Sequence, residues 1–163
     1  MEDGKVQNQF RMESSLKVKE FFQNEIQIRR TLYIKYKKIN SICNIVNKVS
    51  AGLAMATGVG GIAVSSTVVM LPLTIELECI TIIAGLSTII STILNKYSYK
   101  KVKKHKEIKN IAIESSITIN KIISDALDDG IIEKIEFDLI QKHYQDYFND
   151  RTTLQKKYDN ISI

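Results

Sequence analysis

Tryptophan is absent, proline occurs once, at Pro72, and two stretches carry no charge at all: Val49 to Ile75 and Cys79 to Leu94. Each scarcity removes a class of protein. Two cysteines cannot make a disulfide framework. Cys43 falls far down one side of the Pro72 break and Cys79 just past it. In a simple hairpin they lie beyond the roughly 7 Å that a disulfide tolerates, so two reduced, packed thiols are expected. The two histidines, His105 and His143, are far apart in sequence and lack metal-ligand spacing. No nucleophile–base constellation or phosphate loop is present. Gly58-Val59-Gly60-Gly61 has no preceding strand and no acidic partner at dinucleotide-binding distance. The expectation is a non-enzymatic protein with no cofactor and no metal.

The charge that is missing from the middle is concentrated beside it. Arg29 to Lys48 carries six basic residues and no acid; Asn95 to Lys109 carries seven lysines against Glu107 alone. From Asn110 onward the balance reverses, with six basic and ten acidic residues. The net charge of +5 is therefore a bracket around an apolar unit rather than a uniform coat. The first residues are polar and charged, which gives no signal peptide and an intracellular expectation.

Periodicity predicts helices throughout. Residues 1–12 read as a disordered lead and 13–158 as one helical domain. An amphipathic basic helix over 13–48 presents Phe21, Ile28, Leu32, Tyr36, Ile39, Cys43 and Val46 on one face. Glu25, Arg29, Arg30, Lys37, Lys38 and Lys48 fall on the opposite, solvated face. The hydrophobic hairpin occupies 49–94. Its first arm continues as helix to about Gly58, and Gly58, Gly60 and Gly61 then weaken or kink it, at about 1 kcal/mol each relative to alanine. Gly52 and Gly85 allow close approach of a second helix backbone. Pro72 ends the first arm, and Glu76 and Glu78 sit in the first turn of the second, where the helix dipole favours carboxylates. A Lys-rich amphipathic helix covers 95–127, closed by Gly130 as a left-handed cap. A last helix covers 131–158, with Ile140, Tyr144, Tyr147, Leu154 and Tyr158 inward. The fold class is all-α, a helical bundle around a central hydrophobic hairpin.

Three functions are compatible with this pattern. The first is membrane insertion. About 20 apolar residues cross a bilayer core of roughly 30 Å, and basic flanks hold both outer ends on one side. Lys37, Lys38, Lys48, Lys96, Lys100, Lys101, Lys103, Lys104 and Lys106 would then dock on anionic headgroups, with only Glu76 and Glu78 needing to cross. The second is a soluble scaffold or virion component, with the hairpin buried and the flanks meeting a protein partner or a second copy. The third is nucleic-acid condensation by Lys100-Lys101-Val102-Lys103-Lys104-His105-Lys106. The absence of arginine from that run and the shortage of stacking aromatics beyond Tyr97 and Tyr99 count against it. Asp125, Asp129, Gly130, Ile132, Glu133 and Glu136 fall at calcium-loop spacing, but Leu127 occupies a ligand position, which favours a helix–turn–helix corner.

A resemblance is carried by the order of these parts over Tyr33 to Asp150. Tyr36-Lys37-Lys38, Lys103-Lys104-His105-Lys106 and Asp129-Gly130…Glu136-Phe137 are similar to stretches of small invertebrate proteins. Those proteins occur beside Maverick/Polinton-type DNA elements and adintovirus-like genomes. The hairpin also resembles those of apolipoprotein L and colicin-type pore formers, with fewer glycines. The resemblance implies a membrane-associated protein, acting in viral entry or assembly or present in the virion.

Overall fold

The computed structural model describes the backbone of residues 2–64 and 71–160, and the side chains of 4–53, 55, 79–128 and 130–160. All three elements among the described residues are helices: α1 (Glu2–Val64), α2 (Leu71–Asp129) and α3 (Lys134–Asp159). The all-α fold expected from periodicity is thus the fold observed. The chain forms two compact units rather than one: unit 1, residues 1–34 with 101–162, and unit 2, residues 35–100.

Unit 1 has the organisation of a water-soluble bundle. Val18 and Phe22 of α1, Ile108, Ala112, Ile119 and Ile123 of α2, and Ile140 and Tyr147 of α3 form its core. Phe22 meets Tyr147 edge-on at 5.1 Å between ring centroids, and Phe21 meets Tyr144 at 5.2 Å. Such edge-to-face pairs add about 0.5–1.5 kcal/mol beyond the area they bury. Of the α3 residues expected inward, Ile140, Tyr147 and Tyr158 are buried, and α2 buries Ile108, Ala112, Ile119 and Ala126.

The corner between α2 and α3 follows from local chemistry. Gly130 has φ +75°, a left-handed conformation in which a side chain would be strained. Beyond it the Ile131 N–H donates to the Ala126 carbonyl at 3.2 Å, the six-to-one bond of a Schellman cap. The Glu133 N–H donates to Glu136 Oε2 at 3.0 Å, half of a capping box that starts α3. Because α2 stays helical through Asp129, residues 125–129 are not free to wrap a cation as a loop. Ile132 is buried in the corner, whereas Ile131, expected inward, is exposed.

Several expectations are corrected. Residues 2–12 are helical, not a disordered lead, because the corner gives them partners. Asn8 donates to the Gly130 carbonyl at 3.0 Å and accepts from the Ile132 N–H at 2.8 Å, and Phe10 meets Phe137. Helix α1 does not stop at Gly58 but runs to Val64, through all three glycines. Helix α2 starts at Leu71, so Pro72 opens the second arm rather than ending the first. Proline fits a first helical turn, where its missing N–H would have no partner anyway. That earlier start also removes Glu76 and Glu78 from the first turn, which holds no acidic residue. Glu25 and Arg29, assigned to the solvated face, are buried, while Ile28 of the expected apolar stripe is 52% exposed. Cys43 is buried but Cys79 is exposed, and both are free thiols.

Phe22→Ala should destabilise unit 1 by about 3–5 kcal/mol, the range for removing a fully buried aromatic. Ile117→Ala, at a position 64% exposed, should stay within about 0.5 kcal/mol of the parent. Urea denaturation followed by circular dichroism checks both.

Candidate functional site

Unit 2 has the opposite organisation. Its arms are residues 35–64 of α1 and 71–100 of α2. Among the described residues, those buried are Cys43, Ser50, Ala84, Ser91 and Ser98. The exposed ones include Ile42, Ile45, Leu53, Met55, Ile82, Ile83, Leu86, Ile89, Ile90 and Ile93. Two of these show the scale, Met55 at 73% and Ile83 at 64%. Most described isoleucines and leucines are exposed, whereas Ser50, Ser91 and Ser98 are buried, Asn40, Asn47 and Asn95 are half-buried and Asn44 is exposed.

A seam of hydrogen bonds, part-buried at Asn40–Ser98 and Asn47–Ser91 and exposed at Asn44–Asn95 and Asn47–Thr92, joins the arms. Asn40 Oδ1 accepts from the Ser98 hydroxyl at 3.2 Å, and Asn44 Oδ1 from Asn95 Nδ2 at 2.8 Å. Asn47 Oδ1 accepts from the hydroxyl of Ser91 and, at 3.4 Å, from that of Thr92. Each step toward the tip along α1 is matched by a step back along α2, which is antiparallel pairing in one constant register. The buried α2 residues Ala84, Ser91 and Ser98 recur every seven positions, as do Cys43 and Ser50 on α1. That is the spacing of a coiled-coil seam, here built from small and polar residues in place of leucine. Tyr36 and Tyr97 pair edge-on at 6.3 Å near the open end.

This seam was not anticipated. The apolar stripe Tyr36, Ile39, Cys43 and Val46 points one position away from the seam Asn40, Cys43, Asn47 and Ser50. Its signal in the sequence is the recurrence of Asn40, Asn44 and Asn47, at three- and four-residue steps, opposite Ser91, Asn95 and Ser98. Hydropathy averages conceal that pattern. Gly52 and Gly85 do not serve as close-approach points within the chain, since a Cβ at either would meet nothing within 4 Å. The side chains of Pro72, Glu76 and Glu78 and the surroundings of Gly58, Gly60 and Gly61 lie outside the described residues.

The lysines of the basic flanks differ in burial. In unit 2, Lys37, Lys38, Lys48 and Lys96 are exposed and Lys100 is half-buried. In unit 1, Lys103 and Lys106 are exposed, but Lys104 is buried and pairs with both Asp159 oxygens at 2.9 Å. Lys101 approaches the same carboxylate at 3.9 Å. Lys104 therefore serves unit 1 and is withdrawn from any external anion.

Beside it lies a buried polar cluster. Tyr147 donates to Glu25 Oε1 at 2.6 Å, Arg29 reaches the same oxygen at 2.8 Å, and Arg151 lies 3.5 Å from it. Burial alone would raise the Glu25 pKa, but the hydrogen bonds from Tyr147 and Arg29 and the two guanidinium charges outweigh it, leaving the carboxyl below its ordinary value. Burial and the bond to Glu25 push the Tyr147 phenol up. His105, with Nδ1 3.4 Å from Arg29, is pushed down to about 4, first by burial and then by the charges of Arg29, Lys104 and Lys101. Among the described residues no cluster of histidine, cysteine and carboxylate side chains has metal-binding geometry.

By length and hydropathy, the described residues contain one helix able to cross a membrane, Cys79–Asp128, with mean hydropathy 1.5 over an 18-residue window. Only 11% of that window is buried, whereas the core helix of a soluble protein, which meets the same criterion, is mostly buried. No protein-family model matches the chain, and no curated protein or solved structure does either.

The cluster makes unit 1 acid-sensitive. His105 is neutral in the fold at a pH where the unfolded chain already takes up a proton, so stability falls as pH drops from about 6.5 toward 4. The loss across that window is about 3 kcal/mol. Glu25, held low, adds a further loss as pH falls through its folded value. The thermal midpoint should therefore fall between pH 7 and pH 4, and His105→Gln should flatten the upper part of that fall.

Proposed function

We propose that this is a non-enzymatic, membrane-active protein whose unit 2 enters anionic membranes as a hydrophobic helical hairpin. The observation that carries the reading is the packing of the described part of unit 2, where most isoleucine and leucine side chains are exposed and the buried positions are Cys43, Ser50, Ala84, Ser91 and Ser98. In water the hydrophobic effect favours the reverse. In hydrocarbon, apolar side chains cost nothing at the surface, and polar ones gain by pairing with each other.

Length and charge support the same reading. At 1.5 Å per residue, 49–64 extends about 24 Å and 71–94 about 36 Å, bracketing a bilayer core of about 30 Å. The exposed lysines at the outer ends, Lys37, Lys38 and Lys96, suit an anionic headgroup layer, and the Tyr36–Tyr97 pair suits the interface beside them. Both outer ends then stay on the side of entry. Glu76 and Glu78 are the charges that must cross, and protonation makes their crossing easier. The resemblance described above would place this action in viral entry or assembly.

The full chain should float with liposomes containing phosphatidylserine and not with phosphatidylcholine liposomes, and should do so more strongly at pH 5 than at pH 7.4. Glu76→Gln with Glu78→Gln should remove most of the pH difference. Ile83→Lys places a charge on the outward face, at a cost of about 3 kcal/mol in the bilayer, so binding should fall about a hundredfold. The same substitution at an exposed site should leave stability in water within about 0.5 kcal/mol. A chain that stays monodisperse in buffer and floats with neither liposome would instead be a soluble scaffold, with its apolar face covered by a protein.

A further inference from the structure

The arms of unit 2 meet at Cys43 and Ser50 on α1 and at Ala84, Ser91 and Ser98 on α2. Successive residues of a helix turn by about 100°, so the residue before each buried position lies to one side of the seam and the residue after it to the other. Because the arms run antiparallel, the preceding residues of both arms fall on the same side of the hairpin. On that side stand Ile42 and Val49 of α1 and Ile90 of α2, with Val46, Leu86 and Leu94 three or four residues from them. All six are exposed, from 37% at Val46 to 60% at Ile42. The other side carries the polar groups. Asn44 and Thr92 follow Cys43 and Ser91, and Lys48 and Lys96 lie five residues past the same two positions. The two exposed bonds of the seam, Asn44–Asn95 and Asn47–Thr92, are there.

We infer that in water this apolar side is covered by a second copy of the chain, the two hairpins pairing face to face as a four-helix bundle. The spacing is that of helix-on-helix packing: Ile42, Val46 and Val49 are separated by four and then three residues, the step of a coiled-coil seam. A lipid layer selects for apolarity alone and not for that step. In a four-helix bundle each helix faces two neighbours roughly at right angles, and Ile42, Val49 and Ile90 stand about 100° from the seam. The face is also compatible with itself in charge. Between 42 and 53 and between 83 and 94 the one charged residue is Lys48, on the other side, so two copies meet without like-charge repulsion in an isologous two-fold contact. The area suffices as well. Apolar side chains about half exposed leave on the order of 100 Å² each, so six give roughly 600 Å² per copy and about 1,200 Å² for the pair, within the range of stable interfaces. The inference does not rest on the membrane reading, since it concerns the chain in water.

Sedimentation velocity of the full chain in buffer, from about 1 to about 100 µM, tests it. The expected mass is twice the 18.5 kDa of one chain, shifting toward one chain on dilution. Ile42→Glu with Ile90→Glu should raise the dissociation constant at least about a hundredfold, because four like charges would enter the contact. Lys48→Glu with Lys96→Glu puts the same number of carboxylates on the other side and should leave it within about threefold. Ile42→Ala with Ile90→Ala favours helix and adds no charge, and should weaken the pair at least about tenfold; circular dichroism checks that each variant stays helical. A single-chain mass across the whole range overturns the inference. If that monomer floats with phosphatidylserine liposomes, lipid covers the face and the membrane reading stands. Masses that grow past two copies with concentration overturn the closed pair. A helical Ile42→Ala, Ile90→Ala variant that dissociates no more readily than the parent chain overturns the choice of face, as does dissociation by the lysine-side variant alone.

Discussion

Hydrogen bonds between asparagine carboxamides and serine or threonine hydroxyls hold the two arms of unit 2, and the rest of that unit is arranged around this choice. A carboxamide is short and needs a partner close by. The arms therefore meet at small residues, and their branched aliphatic side chains are left on the outside. A leucine-filled seam would have separated the backbones and faced the isoleucines inward. The polar seam thus sets the register, the buried positions and the apolar exterior together.

Unit 1 solves a different problem with the same two helices. Phe22, Ile108, Ile119, Ile123, Ile140 and Tyr147 bury apolar surface in the way a solvated domain requires. Its charges are also handled as water demands, with Glu25 shared by Tyr147, Arg29 and Arg151, and Lys104 paired to Asp159. One chain therefore carries one unit with a packed apolar core and one whose described apolar side chains are mostly exposed. Acid weakens the first, through His105 and Glu25.

The lysine-rich stretch shows why a charge run read from composition overstates what is available at a surface. Lys104 is spent within unit 1, held to Asp159 at 2.9 Å, and Lys101 leans toward the same carboxylate. Lys37, Lys38, Lys48, Lys96, Lys103 and Lys106 keep their exposure.

Helical periodicity, the charge-free stretches, the basic brackets and the Asp-Gly corner were legible in the sequence, because each depends on neighbours within a turn or two. Ile140, Tyr147 and Gly130 were placed correctly for that reason. The lead at residues 2–12 was not, since its order comes from Asn8 meeting a corner more than a hundred residues away. Glu25 and Arg29 looked solvated because charge predicts exposure unless a partner such as Tyr147 arrives from another helix. The hairpin was visible as an apolar block, but which of its faces turned inward was decided only by tertiary structure. Hydropathy ranks side chains by their transfer from water, whereas pairing between two arms depends on which groups can bond across the gap. The sequence by itself determined that the middle of the chain is apolar; only the packing of one arm on the other decided that Ser50, Ser91 and Ser98 are buried while most of the described isoleucines are exposed.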